Sequence, residues 1–323
     1  MHTSLFFRLF PPPKFMVMRY GGMDISDDAI HYLEYSSSPK GFKISKYAKV
    51  DLAPGIVEAG EIKDGKKLKD ILIAFDNEHD ITHVKVSLPE EKMYLFQADV
   101  PSMDATAVRQ NIESKLEENV PLAAPDAVFY FNLLSPAMSG GSPRASVSVA
   151  PRVYVEEYIA LLRSAGISPV AFEAIPKAIA RAIVPHHDET TRLIIYMMKG
   201  KTGIYIVSGD AVCFTSTIAD GTSEIQTAGR PAYIEALSKE INRVYAYWVS
   251  RGGSHPPISA IFLAGSAAPA LESALQGVVV GADVPVKVVS VWQNVFNLDH
   301  YVPPIAHDES LDYIVAAGLA MDS

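Results

Sequence analysis

Two similar units, one near the start of the chain and one past its middle, constrain the fold most. The first unit, Gly21 to Tyr35, reads as an apolar strand, a turn of small and acidic residues and a second strand, and Phe42 to Leu52 reads as a third. The second unit, Arg192 to Asp210, repeats this pattern, and Ala211 to Ile218 follows it as a third strand. Two such three-strand meanders predict a duplicated fold with a cleft between its halves.

The first turn contains three candidate binding residues, Gly22, Asp24 and Ser26. Backbone amides in such a hairpin can cradle a phosphate, and an aspartate there can hold a metal ion through water. The same residues also suit an ordinary hairpin, in which the Ser and Asp side chains satisfy the hydrogen bonds of their own turn. The second hairpin of the same kind favours a phosphate-binding turn and leaves the ordinary hairpin as the alternative.

The composition is that of a globular protein. The chain has 323 residues, 49% hydrophobic and 20% charged, so it has room for one large or two medium domains. The formal net charge of -9 argues against a nucleic-acid-binding surface. The single cysteine, Cys213, rules out an intrachain disulfide and fits a reducing cytoplasm. Because Cys213 falls in a predicted strand, a core position is favoured over a nucleophile.

The sequence predicts no membrane span, because it has no run of about twenty apolar residues. The apolar stretch Ser4 to Phe10 is short and is followed by prolines rather than by a small-residue cleavage site, so it does not resemble a signal peptide. A packed terminal arm is favoured over a short anchor that touches a membrane.

Hydrophobic periodicity predicts the remaining elements. Helices are predicted at 65–78, 104–120, 153–164, 176–184, 231–251 and 311–321. Strands are predicted at 82–88, 93–100, 127–134, 144–150, 167–172, 258–264 and 284–289. The spacing places Val155, Ile159 and Leu162 on the buried face of the third helix, and Ile234 on that of the fifth.

These elements predict an α/β fold whose first half is interrupted by a separate α+β unit. We expect the first half to comprise residues 1–86 and 172–188, the inserted subdomain residues 87–171, and the second half residues 189–323.

Five sequence blocks occur in one order over nearly the whole chain. They are Phe7 to Phe15 with Gly22 to Asp27; Val149 to Arg152 with Val155 to Leu162 and Ala165 to Ile167; Thr202 to Ile204 with Phe214 to Ile218; Glu240 to Arg243; and Ile261 to Gly265. In this order the blocks resemble the type IV pilus assembly protein PilM family, which has the actin-like ATPase fold.

The resemblance implies an actin-like duplicated fold in which three turns grip a nucleotide. The first turn would use Gly22, Asp24 and Ser26, with Asp24 also as the metal ligand. The candidates in the second and third turns are Lys199, Gly200, Lys201, Thr202, Gly265 and Ser266. ATP with Mg²⁺ is the cofactor that this set would bind.

The sequence also departs from the family at these turns. Tyr196 and Met198 stand where a family member would have Asp and Gly, which removes a carboxylate and puts a large side chain where backbone must approach phosphate. Residues 218–233 are too few for the small subdomain that usually closes over the adenosine, so we expect this subdomain to be reduced or missing. The resemblance therefore predicts weak or lost ATP binding, with no catalytic residue to name and no expectation of enzymatic activity.

The function implied by the family is that of a cytoplasmic scaffold at the inner-membrane face. It would dock the amino-terminal peptide of a PilN-like inner-membrane protein in a groove beside the insert, next to other pilus assembly proteins. The predicted strand at 93–100 either supplies an open edge for that peptide or is internal.

Three alternatives remain at this point. One is an active actin-like ATP-binding protein whose nucleotide state gates pilus assembly. Another is the cytoplasmic half of the related type II secretion protein, which is less favoured because such chains continue into a membrane segment. A sugar or acetate kinase of the same superfamily is less favoured still, because no loop for a substrate carboxylate or phosphate stands out.

Overall fold

The first half opens with the predicted three-strand meander. The structure is a computed structural model that describes residues 19–38, 41–101, 103–134, 143–185, 188–209, 211–250, 256–280 and 283–321. The three strands pair antiparallel in order: β1 (Gly21–Ile25), β2 (Ala29–Ser38) and β3 (Gly41–Asp51). The first meander is therefore confirmed. The predicted terminal arm and the family block at residues 7–15 lie outside the described residues.

The next elements complete the frame of the first half. They are a short hairpin, β4 (Val57–Glu58) and β5 (Glu61–Ile62), then α1 (Gly65–His79) and β6 (His83–Leu88). Helix α1 begins where the Asp64 side chain accepts a hydrogen bond from the Lys67 amide at 3.0 Å. Strand β6 pairs parallel with β1, and α1 buries Leu68, Leu72 and Phe75 on the adjacent face.

A separate three-stranded sheet follows. Its elements are a 3-10 turn (Glu90–Lys92), β7 (Tyr94–Asp99), α2 (Ala105–Ser114), α3 (Leu116–Asn119), a 3-10 turn (Ala124–Asp126), β8 (Ala127–Leu133) and β9 (Arg144–Pro151). The strand order is β7-β9-β8, so β7 is an edge strand of this sheet. The prediction of one continuous helix at 104–120 is wrong in one respect. Lys115 leaves the helical conformation, and two helices result, with Ile112 and Leu116 both kept buried.

The chain then returns to the first sheet. Helix α4 (Arg152–Ser164) and strand β10 (Ser168–Ala174) lead into it, and β10 pairs parallel with β6 to give the order β10-β6-β1-β2-β3. The buried face of α4 is formed by Tyr154, Tyr158 and Leu162, whereas Val155 and Ile159, expected to be inward, are only half-buried. The predicted face was wrong because both tyrosines can enter the core, where their hydroxyls donate to a backbone carbonyl described below. The predicted domain bounds stay a prediction.

Helix α5 (Ile175–Ile183) follows β10 and leads to the second half, which repeats the arrangement. The elements of the second half are β11 (Thr191–Met197), β12 (Thr202–Ser208), β13 (Ala211–Ile218), α6 (Glu224–Thr227), α7 (Arg230–Ser250), β14 (Ile258–Ala264), α8 (Ala268–Leu275) and β15 (Val286–Val288). The sheet order is β13-β12-β11-β14-β15, with the meander antiparallel and β14 parallel to β11. On α7 the buried tyrosine is Tyr233, and Ile234 is half-buried.

A closing segment joins the two halves. It consists of α9 (His307–Ser310), a 3-10 turn (Leu311–Tyr313) and α10 (Ile314–Ala320). A Cβ atom on Gly318 would lie 1.9 Å from the Ala178 carbonyl oxygen, so α10 packs against α5 at backbone distance. Helix α10 also packs against β1, β2 and β6. One hydrophobic core consequently runs from Leu33 on the first sheet through α5 and α10 to Ile195 on the second sheet. Within the described ranges, no helix is long and apolar enough to cross a membrane.

One buried group in this joint can titrate. His31 on β2 is 7% exposed, packs edge-on against Tyr313 with ring centroids 5.1 Å apart, and has no hydrogen-bond partner on either ring nitrogen. Desolvation, reinforced by the nearby Lys49 charge, lowers the pKa of His31 to about 4. The ring is therefore neutral in the folded protein at pH 7.

Acid should therefore destabilise the protein through His31. The pKa of His31 is lower in the folded state than in the unfolded chain. Its contribution to the free energy of unfolding is therefore complete above about pH 6.5 and is lost as the pH falls toward 4, by up to about 3 kcal/mol. Urea unfolding at several pH values measures this loss. A His31→Phe variant keeps the ring contact and cannot titrate, so its stability should fall less over the same range. Equal slopes in both proteins would contradict the assignment.

Candidate functional site

The carboxyl ends of the parallel strands meet at the cleft between the halves. The segment after β6 carries Glu91, and the turn after β11 carries Lys201. The Glu91 carboxylate and the Lys201 ammonium form an ion pair across the cleft, with both side chains partly exposed. In open α/β sheets this is the edge at which ligands usually bind, so it is the first place to look for a site.

The first predicted turn closes on itself. The Ser26 hydroxyl donates to the Ala29 carbonyl at 2.9 Å and accepts from the Ala29 amide at 3.1 Å. Asp24 lies two residues earlier, on β1. Its side chain is 2% exposed and accepts a hydrogen bond from the Ser87 hydroxyl at 2.6 Å. Ser26 thus makes the contacts of an ordinary hairpin turn, and Asp24 is a buried link between β1 and β6.

The β4–β5 hairpin covers the acidic side of this turn. The Asp27 carboxylate accepts hydrogen bonds from the amides of Ala59 and Gly60, each at 3.0 Å. The Gly60 carbonyl in turn accepts from the hydroxyls of Tyr154 at 2.6 Å and Tyr158 at 3.0 Å. Burial raises the pKa of Tyr158 to about 12, so its hydroxyl stays a donor. Asp27 is therefore engaged by the protein's own backbone.

Gly22 is required by packing within the protein. A Cβ atom at this position would lie 2.0 Å from the Ala316 carbonyl oxygen and 2.8 Å from the Ala320 amide nitrogen. The missing side chain lets α10 lie directly against β1. The packing of α10 against β1 accounts for a glycine at position 22, with no bound ligand needed to explain it.

The second predicted turn, residues 198–201, is covered by the segment that follows β13. The amides of Thr222 and Ser223 donate to the carbonyls of Met198 at 2.9 Å and Lys199 at 3.0 Å. The Ser223 hydroxyl donates to the same Lys199 carbonyl at 2.8 Å. A Cβ atom on Gly221 would lie 2.3 Å from the Lys199 carbonyl oxygen and 2.4 Å from the Lys201 amide nitrogen, so Gly221 packs backbone to backbone on the turn.

Thr202 anchors the other end of that covering segment. Its side chain is fully buried, donates to the Asp220 carbonyl at 2.8 Å, and lies 2.9 Å from the Tyr233 hydroxyl. Lys199 and Gly200 are exposed, with open space beside Gly200. The second turn is thus fixed between residues 220–223 and the Glu91 ion pair.

The third predicted turn lies next to the second. Gly265 has φ of +97°, and a Cβ atom there would lie 2.1 Å from the Met197 carbonyl oxygen, so only glycine fits. The exposed Ser266 donates its amide to the Asp312 carboxylate at 3.2 Å. The structure therefore brings the second and third turns together at one edge of the second sheet, while the Gly22, Asp24 and Ser26 set lies on the first sheet.

Sequence reasoning missed the residues that close these turns. Asp27, Glu91 and Gly221 make the decisive contacts, and their partners are distant in the chain. The Asp220-Gly221 dipeptide in a polar stretch was a turn signal, but nothing in the sequence indicated which surface it covers. In the described part of the chain, no group of three or more His, Cys, Asp or Glu side chains is placed to hold a metal ion. The assignment of Asp24 as a metal ligand stays a prediction.

A groove lies between the three-stranded sheet and the second half. One face of that sheet packs its apolar side chains, such as Val147 and Phe131, under α2 and α3. The opposite face is mixed and borders a narrow groove. Its lining residues are Leu95, Tyr130, Asn132, Leu134, Ser146, Ser148, Lys177, Ala211 and Val212.

Lys177 on α5 provides the positive charge in this groove. Its ammonium lies 3.4 Å from the Glu173 carboxylate and 4.9 Å above the centre of the Tyr130 ring. The Asn132 amide, oriented with its oxygen toward Lys177, accepts a hydrogen bond at 3.0 Å. Tyr130 is 59% exposed, so the groove opens to solvent along β8.

The second wall of the groove is β13. Residues Ala211 and Val212 line it, and Gln97 on β7 donates to the Cys213 sulfur at 3.2 Å. Burial raises the pKa of the Cys213 thiol to about 11, so it stays protonated and packs as an apolar residue. Both halves of the molecule therefore contribute to one groove.

The duplicated meanders, the inserted sheet and the cleft define an actin-like fold, as the sequence predicted. Among solved structures, the chain matches the one described as "PilM-PilN type IV pilus biogenesis complex" with a TM-score of 0.76 and 17% identity, over 94% of this chain and 98% of that chain. It also matches the cytoplasmic domain of EpsL, an inner membrane component of the type II secretion system of Vibrio cholerae, with a TM-score of 0.49 and 12% identity, over 92% and 94%.

The sequence match gives the family. Residues 22–228, well over half of the chain, match the family model described as type IV pilus assembly protein PilM. The chain therefore belongs to the PilM family, and the resemblance stated from the sequence is confirmed. No curated protein sequence matches the chain.

The contact between Gly221 and the second turn can be tested directly. Replacing Gly221 with Ala forces a Cβ atom onto two backbone atoms, so we expect a loss of about 1–3 kcal/mol in the free energy of unfolding. Gly200→Ala, in the turn itself, meets open space and is the matched control. Urea denaturation of both variants decides the matter. Equal stabilities would mean that residues 220–223 do not hold the turn.

Proposed function

We propose that this protein is a cytoplasmic scaffold of the type IV pilus assembly machinery. In this role it docks the amino-terminal peptide of a PilN-like inner-membrane protein, and it binds ATP weakly or not at all. Membership of the PilM family and the likeness to a solved PilM-PilN complex support the partner. Its position at the inner-membrane face and its contacts with further pilus assembly proteins belong to the same proposal.

The observation that carries the docking role is the groove beside the inserted sheet. Apolar side chains of Leu95 and Val212 stand on its two sides, and the hydroxyls of Ser146 and Ser148 lie on its floor. An extended peptide needs apolar pockets for alternate side chains and polar groups for its backbone, and this groove supplies both. We place the peptide here, with Lys177 and Asn132 facing its polar groups.

The closed turns support weak or lost ATP binding. A phosphate cradle requires backbone amides that a ligand can approach, whereas Gly221 packs directly on the backbone of the second turn, including the Lys201 amide. On the first turn the Asp27 carboxylate is engaged by two backbone amides. The residues present therefore do not fit MgATP in the manner expected from the three turns. For this reason we favour the scaffold over the alternative of an ATP-binding protein whose nucleotide state gates assembly.

Peptide binding tests this proposal. The probe is the cytoplasmic amino-terminal peptide of the PilN-like protein from the same organism, labelled for fluorescence anisotropy. Ser148→Trp fills the floor of the groove, so we expect at least about tenfold weaker binding, and Lys177→Met should weaken it about threefold or more by removing the charge.

Lys66→Met is the matched control, because it removes the same charge from an exposed position on α1, away from the groove. It should bind like the unmodified protein, and melting temperatures establish that each variant is folded. A peptide that binds equally to the Ser148→Trp variant, or to none of the proteins, would refute docking in this groove.

A further inference from the structure

We propose that the ion pair between Glu91 and Lys201 sets the width of the groove, so that the closure of the cleft controls peptide docking. The docking part of this inference rests on the proposed function. The mechanical part, that the pair holds the groove walls together, stands on the geometry alone.

The two members of the pair lie at the ends of elements that lead into the groove. Glu91 is in the 3-10 turn directly before β7, the strand that carries Leu95. Lys201 is in the turn directly before β12, which pairs along its whole length with β13, the strand that carries Val212. A change in the distance between Glu91 and Lys201 is therefore transmitted through short, regular structure to both walls.

The two walls belong to bodies that are joined elsewhere by a continuous core. Helices α5 and α10 pack the halves together where Gly318 meets Ala178. At the cleft, the described contacts are the Glu91–Lys201 ion pair, the Gln97–Cys213 hydrogen bond and the packing of Leu95 on β7 against the core of the second half. The joint at α5 and α10 is the more extensive apolar contact, and the cleft side is held partly by an ion pair, so we place the hinge at α5 and α10.

The strength of the pair suits a reversible contact. The side chains of Lys201 and Glu91 are 14% and 25% exposed, so water and salt still reach them. Partly exposed ion pairs contribute modestly to stability and are screened by salt. Residues 220–223 hold the Lys201 turn in position, so closure requires no nucleotide between the halves.

Glu91→Gln in the full-length protein is the principal test. It removes the charge with little change of shape, and the cleft should then open more often. We expect amide hydrogen exchange in β7 and β13 to become several-fold faster, and the PilN-like peptide to bind about two- to fivefold more weakly. The reversed pair, Glu91→Lys with Lys201→Glu, should restore both quantities.

Lys67→Gln is the control, because Lys67 pairs with Asp64 within the start of α1 and does not join the halves. High salt should speed the exchange of β7 and β13 in the unmodified protein and have little effect on the Glu91→Gln variant.

The outcomes separate the two proposals. Unchanged amide hydrogen exchange in the Glu91→Gln variant would overturn the proposal that the ion pair holds the groove walls together, whether or not the peptide binds. Faster amide hydrogen exchange with an unchanged peptide affinity would refute the proposal that closure of the cleft controls peptide docking. If the peptide binds to no form of the protein, the docking function fails, and the exchange rates still decide whether the pair sets the groove.

Discussion

The structure depends on a helix that lies at backbone distance from the first sheet and from α5. Helix α10 approaches β1 because Gly22 has no side chain, and it approaches α5 because Gly318 has none. A Cβ atom at either position would overlap a carbonyl oxygen, so both glycines are fixed by packing. This contact joins Leu33 of the first sheet to the core of the second half, while the remaining core of the first half forms a cluster of its own.

At the cleft, both turns pack against the protein's own segments. The β4–β5 hairpin engages Asp27, and residues 220–223 pack on the second turn. The groove beside the inserted sheet is left open, with Lys177 as its cation.

The sequence predicted much of this fold, because strands and helices each have a characteristic period of hydrophobic residues. Both meanders, α1, α5, α7 and β14 were found within a few residues of their bounds. The phase of α4 was wrong because Tyr154 and Tyr158 are buried only with the Gly60 carbonyl as acceptor, more than ninety residues away. The ion pair across the cleft could not be predicted from the sequence either, because Glu91 and Lys201 are separated by 110 positions. Contacts of this kind arise only when the chain is folded.

We propose that the two turns are closed by the protein itself and do not receive a nucleotide. Isothermal titration calorimetry of the purified protein with MgATP tests this proposal. We expect flat heats up to millimolar ATP. Saturable binding in the micromolar range, abolished by Asp24→Ala, would contradict it and would make a nucleotide-gated assembly step the better explanation.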